Sequence, residues 1–267
     1  MHPLDIHWIY TFVSVALVAA LALVGRVALT FSPKSLARLI PLLVSLAAGA
    51  LLGTAFGHLL PESVERIGDG QKLSGLLIAG FFTFFVLEKL LCVWCNGAHH
   101  QDSDLDRPLA TRSHGGGSSA GNGPMVTNLM FGSGIHSFVD GMAIATGYIV
   151  GTHLGVLTTV AVVCHEIPHH IGDVSILIHK GIPIMRAVVL SLLAGSASAV
   201  GALLVLLVGA QSTGVTNVLL PFATANFLYI ASANLLPELR NEIRPRPSFV
   251  QIFLFGAGCS LMLALGT

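Results

Sequence analysis

Two apolar runs either side of a short turn decide the fold. The first is Val126-Thr-Asn-Leu-Met-Phe-Gly-Ser-Gly-Ile-His136-Ser-Phe-Val-Asp140-Gly-Met-Ala-Ile-Ala-Thr-Gly-Tyr-Ile-Val150. The second is Leu154-Gly-Val-Leu-Thr-Thr-Val-Ala-Val-Val-Cys-His165-Glu166-Ile-Pro168-His169-His170-Ile-Gly-Asp173-Val-Ser-Ile-Leu-Ile-His179. Each is long enough for a helix to cross the hydrocarbon core, which takes roughly 20 residues. Each also carries ionisable groups where a spanning helix can least afford them. A charge at the bilayer centre costs about 2.5–3.5 kcal/mol on insertion scales, so such residues mark function. His136, Asp140, His165, Glu166, His169, His170 and Asp173 make seven in two neighbouring segments, which packing does not explain.

Their spacing brings them together. His136 and Asp140 are four residues apart, as are His165 and His169, Glu166 and His170, and His169 and Asp173, so each pair shares a helix face. The turn at 151–153 makes the two helices an antiparallel hairpin. Both motifs lie about 20 Å along their helices from that turn, at 1.5 Å per residue. His136, Asp140, His165 and His169 can therefore converge at one depth, with Glu166 beside them. Imidazole and carboxylate without thiolate suit divalent transition metals such as zinc or iron. Pro168 removes a backbone hydrogen bond and is expected to open the helix there, as broken helices line the cavities of transporters.

The rest of the chain fits a membrane setting. Hydrophobic residues are 54% of the 267, charged residues 10%, and the mean hydropathy is +0.81. A soluble domain carries about 25% charge, so an ordinary soluble enzyme is excluded. Intrinsic disorder is excluded as well. Thirteen basic against thirteen acidic residues leave no basic footprint for nucleic acid. Four cysteines, Cys92, Cys95, Cys164 and Cys259, give no disulfide framework. The first ten residues hold no Lys or Arg and read as the start of a span.

Eight segments qualify as spans: 7–30, 39–61, 73–95, 126–150, 154–179, 184–209, 214–236 and 249–266. The expected fold is all-α, a polytopic membrane protein forming a single transporter domain over 1–267. With both termini outside, eleven Lys and Arg lie at or near the cytoplasmic side, and only Arg66 and Lys72 lie outside; the positive-inside rule selects that orientation. The 96–124 connection, rich in Gly, Ser and Asp and containing His99, His100 and His114, reads as a flexible cytoplasmic loop.

An internal echo adds a topology. Leu59-Leu-Pro61-Glu62 ends the second span, after His58, and Leu235-Leu-Pro237-Glu238 ends the seventh, after Asn234. The two spans run in opposite directions, which is the mark of an inverted repeat: spans 1–3 related to spans 6–8 around the central 4–5 hairpin. His58 and Glu62 are then expected at the outer mouth of a path and Glu238 at the inner mouth. Gly49, Gly53 and Gly57, and Ser191, Gly195 and Ala199, form small-residue stripes that let helices approach closely.

At this point the residues resemble a known family. His136-Ser-Phe-Val-Asp140-Gly141 with His165-Glu-Ile-Pro168-His169-His-Ile-Gly172-Asp173 resembles the fourth and fifth spans of the ZIP (Zrt/Irt-like) metal transporters. Phe85-Val-Leu-Glu88-Lys89, the two LPE motifs and Phe227-Leu-Tyr-Ile-Ala231 resemble its second, third and seventh spans. The resemblance implies eight helices and outward termini. It implies a multi-pass protein of the cell membrane that carries zinc, or iron, manganese or cadmium, into the cytoplasm, with no organic cofactor. It implies a pair of adjacent metal positions, with His136, Asp140, His165, Glu166 and His169 at the ligand positions. It further implies spans 2, 4, 5 and 7 moving against 1, 3, 6 and 8, and a homodimer. Ser137 and His170 depart from the Asn and Glu often found there, which alters hard-oxygen ligation.

The alternative function is an intramembrane zinc metalloprotease, because His165-Glu-Ile-Pro-His169 fits H-E-x-x-H with Glu as general base. Pro168 interrupts that motif, and the crowd of further donors leaves no open water position. Metal transport, not enzymatic activity, is the expected function.

Overall fold

The computed structural model describes residues 3–28, 33–97, 122–209, 213–240 and 245–266, and every element among them is helical. Helices α1 (Pro3–Ala20) and α2 (Ala22–Ala28) form one rod interrupted at Leu21. Helix α3 (Pro33–Thr54) passes through a π-helical turn (Ala55–Leu59) into α4 (Leu60–Ile67). Helices α5 (Gly70–Gly97), α6 (Asn122–Val150) and α7 (Thr152–His179) are continuous. A second interrupted rod follows, α8 (Ile184–Gly195) and α9 (Ala197–Gly209), with its break at Ser196. Helix α10 (Thr213–Tyr229) passes through another π-helical turn (Ile230–Leu235) into α11 (Leu236–Leu239), and α12 (Pro245–Leu265) is the last.

Six of these rods are long and apolar enough to cross a membrane: Ile6–Gly25, Arg38–Ile67, Gly70–Leu90, Ile184–Gly209, Gly214–Leu239 and Pro247–Leu265. The other two, α6 and α7, have 29 and 28 residues and carry the ionisable groups. The loop expected at 96–124 falls outside the described residues over 98–121, together with His99, His100, His114, Arg107 and Arg112.

Local chemistry sets the ends of the rods. Gly68 closes α4 at φ 65°, a left-handed conformation that favours glycine. The side chain of Asp69 then accepts hydrogen bonds from the Gln71 and Lys72 backbone N–H groups at 2.9 and 3.1 Å, capping the start of α5. Gly181 (φ 81°) and Pro183 separate α7 from α8 in the same way. Between α6 and α7 stands Gly151 alone, so the hairpin is as tight as the sequence suggests.

The opening expected at Pro168 is not found, because α7 remains helical from Thr152 to His179 with Pro168 inside it. The irregular backbone lies in the two π turns, each of which ends just before an LPE proline. A proline ring clashes with the carbonyl four residues back. For Pro61 and Pro237 that residue falls inside the π turn, where the wider coil makes room.

Helices α6 and α7 occupy the middle. Helix α6 packs on α9 and α8, α7 packs on α3 and α2, α3 packs on α12, and α5 packs on α10. Leu51, Ile144, Leu157, Leu206, Leu220 and Phe227 are fully buried in the shared core. Apolar side chains also point outward: Ile78, Phe82, Phe249 and Phe253 are 63–73% exposed, a surface made for lipid. Two crossings bring backbones into contact. A Cβ on Gly141 would strike the Ser198 carbonyl, and one on Gly201 the Phe138 carbonyl. The Gly49 stripe faces α12 likewise, with Gly49 against Phe255 and Gly53 against Cys259.

Candidate metal centre

The α6–α7 hairpin brings its donors to one depth. On α7, His165 Nδ1 lies 3.1 Å from the Ala161 carbonyl one turn back. A carbonyl only accepts, so Nδ1 carries the proton. That turns Nε2 toward Asp140 Oδ2 on α6, 3.0 Å away. Two acceptors at that distance require a positive charge between them, a proton or a metal ion. The carbonyl bond fixes the ring in the way that outer partners orient metal-binding histidines. His136 Nε2 approaches the same Asp140 oxygen at 3.5 Å, and its ring stacks on His169 with centroids 4.7 Å apart.

Donor atoms of His136, Asp140, His165 and Glu166 all lie within 4.8 Å of one another, and so do those of Glu166, His169 and His170. Glu166 thus joins two adjoining groups. Its Oε1 accepts a long hydrogen bond from Ser137 (3.4 Å) and its Oε2 faces His170 Nε2 at 3.3 Å. His170 is held from the other side by Ser191 of α8, 2.9 Å from Nδ1. His169 Nδ1 stands 3.6 Å from Glu166 and 3.7 Å from Asp173, and Asp173 accepts a 2.7 Å hydrogen bond from Ser133. The Asp140 and Glu166 side chains are fully buried. One oxygen of each, with His136 Nε2, His169 Nδ1 and His170 Nε2, is buried without a hydrogen-bond partner. Buried donors and acceptors left unpaired cost about 1–3 kcal/mol each, and divalent cations at the two adjoining groups would engage them. Two carboxylates behind imidazoles also balance a charge of +2.

A cavity of about 610 Å³ reaches this cluster. Its wall includes His136, His165, His169 and Asp173 together with Glu88, Tyr229, Asn234 and Glu238. His136 and His169, the more exposed of the rings at 21% and 31%, meet it first. Glu238 is therefore connected to the cluster. His58 and Glu62 are not in that wall. His58 Nε2 donates to the Met262 carbonyl at 2.7 Å, and Glu62 pairs with Arg66 at 2.6 Å.

Sequence reasoning missed Ser133, Ser191, Asn226 and Tyr229 as parts of this region, and marked Glu88 as an ionisable residue inside the third span without placing it in the cluster. Tyr229 donates to Glu88 at 2.6 Å across 141 residues of chain. No local spacing signals such pairs.

The H-E-x-x-H arrangement does not take a protease form. Glu166 is wedged between Ser137 and His170, with none of its side chain open to a water nucleophile, and His165 and His169 fall in different donor groups.

Comparison with known proteins agrees. A family profile described as ZIP zinc transporter matches residues 5–124 and 98–266. The chain is 34% identical over 253 residues to zinc transporter ZIP13 of Mus musculus, covering 84% of this chain and 69% of that protein. It is 30% identical over 224 residues to zinc transporter YKE4 of Saccharomyces cerevisiae, covering 76% and 62%. It is 27% identical over 297 residues to zinc transporter ZIP4 of Mus musculus, covering 90% and 44%. With a multi-pass helical architecture, a buried His/carboxylate cluster and this likeness along its length, the chain belongs to the ZIP zinc transporter family.

Proposed function

We propose that the protein carries zinc into the cytoplasm through the His136–Asp140–His165–Glu166 cluster, with His169, His170 and Asp173 beside it. The observation that carries this reading is the His165–Asp140 contact. An imidazole held by its own backbone faces a buried carboxylate at 3.0 Å, and a zinc ion can take the place of the proton that otherwise bridges them. The ion loses its water to imidazoles and carboxylates whose two negative charges match its own. It then leaves along the cavity past Glu88 to Glu238. On this reading Glu62 and His58 line the outer mouth, closed here, and Glu238 the inner mouth, open here.

Eight spans with an inverted repeat account for several features at once. Exchanging spans 1, 2, 3 and 4 with 6, 7, 8 and 5 maps the broken rod α1–α2 onto the broken rod α8–α9. It also maps one π turn before Leu-Pro-Glu onto the other. The α3–α12 packing becomes the α10–α5 packing, and α6–α9 becomes α7–α2.

The test is radiozinc uptake into proteoliposomes. Wild-type protein should load the vesicles, with iron, manganese and cadmium competing. His136→Ala and His169→Ala should abolish uptake while the protein remains folded in detergent. Wild-type uptake rates in either variant would refute the site.

A further inference from the structure

Span seven contributes a side chain that the cluster above does not include. Asn226 on α10 is 3% exposed, lines the cavity, and has its carboxamide Nδ2 buried with no hydrogen-bond partner. Its neighbour Phe227 lies with its ring 6.5 Å from that of His165, so α10 reaches the depth of the central donors at this point. Glu238, twelve residues further on, is about 18 Å nearer the mouth at 1.5 Å per residue. Of the polar side chains that this span gives to the wall, Asn226 is the deepest. The next, Tyr229, is engaged with Glu88.

A buried amide nitrogen without a partner is unfavourable by about 1–3 kcal/mol. An apolar residue of similar size would avoid that cost, so the group suits a partner that comes and goes within the cavity. The two ends of a carboxamide exchange by a half-turn about its last torsion, which presents its oxygen in place of its nitrogen. Such an oxygen is neutral and hard. It leaves the charge balance set by Asp140 and Glu166 unchanged, and carbonyl oxygen suits manganese-like ions where imidazole suits zinc.

Resting on the transport reading above, we infer that Asn226 is a specificity-determining residue: its carboxamide oxygen meets the cation from span seven and raises acceptance of harder divalent ions relative to softer ones. Uptake of manganese and of cadmium into the same proteoliposomes tests this. Asn226→Leu should raise the manganese KM about tenfold and leave the cadmium KM nearly unchanged, and Asn226→Ser, which keeps an oxygen, should fall between. Equal shifts for both ions, or none, would overturn the inference and leave Asn226 a packing residue. Should the leucine variant not fold, Asn226→Ala carries the same comparison. Failure of all three variants to accumulate as folded protein would likewise mark the residue as structural. A His136→Ala arm separates the two ideas: if that variant transports like wild type, the site reading fails. If it is inactive while the Asn226 variants keep the wild-type ion ratio, only this inference fails.

Discussion

Asp140 is the residue on which the cluster turns. One of its oxygens faces two imidazoles, and the other is buried with no partner. Asp140→Asn keeps the shape, removes the charge and places an amide where a cation is wanted. Zinc affinity measured by calorimetry on the purified protein should fall by at least about tenfold, since loss of even an outer partner of a metal ligand costs 10–100-fold. Retained wild-type affinity would show that the ion is not bound here. Ser191 offers a milder probe. Its hydroxyl holds His170 at 2.9 Å, and both side chains are fully buried. Ser191→Ala should cost about 1 kcal/mol of stability, read as a lower melting temperature in detergent. An unchanged melting temperature would mean that the contact contributes nothing.

Among the helices, the glycine crossings carry the corresponding prediction. At Gly141 and Gly201 one backbone rests on the carbonyl of the other, so a side chain at either would push α6 from α9. Gly141→Val should destabilise by about 1–3 kcal/mol, as overpacking does, and lower the yield of monodisperse protein. Normal yield and melting behaviour would contradict the close approach. Apolar length in the sequence marked eight segments, and six of them correspond to rods long and apolar enough to cross a membrane, while α6 and α7 carry the ionisable groups. Four-residue spacing put His136, Asp140, His165 and His169 together with Glu166 beside them, whereas the structure groups Glu166 with the first three and sets His169 with Glu166 and His170. Other features were not legible. A proline alone does not say whether a helix opens, kinks or stays straight, and Pro168 sits in a continuous helix while Pro61 and Pro237 follow π turns. Asn226 and Ser191 look in sequence like any polar residue of a membrane helix. Their meaning comes from neighbours far along the chain.

For the whole molecule, the cavity reaches Glu238 but not Glu62, and on the proposed reading a set of long-range contacts draws the Glu62 end together. His58 donates to the Met262 carbonyl, and His153 donates to the Leu265 carbonyl at 2.8 Å. Both carbonyls belong to the last turn of α12, where the helix has no partner of its own for them. The two imidazole rings meet edge to face, 6.5 Å apart. Arg66 bonds Glu62 at 2.6 Å and reaches the Val150 carbonyl at 3.4 Å, but exposed ion pairs of this kind are worth little. The histidines are therefore the stronger part of the closure. If they hold this end shut, removing both hydrogen bonds, about 1 kcal/mol each, should shift the population toward the opposite-facing state by up to about thirtyfold. Asn234, on the cavity wall, reports that shift. Replaced by cysteine in a chain whose four native cysteines have been substituted, it should react with a membrane-impermeant thiol reagent from the Glu238 side, cytoplasmic in the proposed orientation. Adding His58→Ala and His153→Ala should slow the reaction markedly, and glutamines at both positions, which keep a donor, should restore much of it. Labelling at an unchanged rate in the double alanine variant would mean that the two rings merely cap the end of α12, and that closure of the outer mouth resides elsewhere.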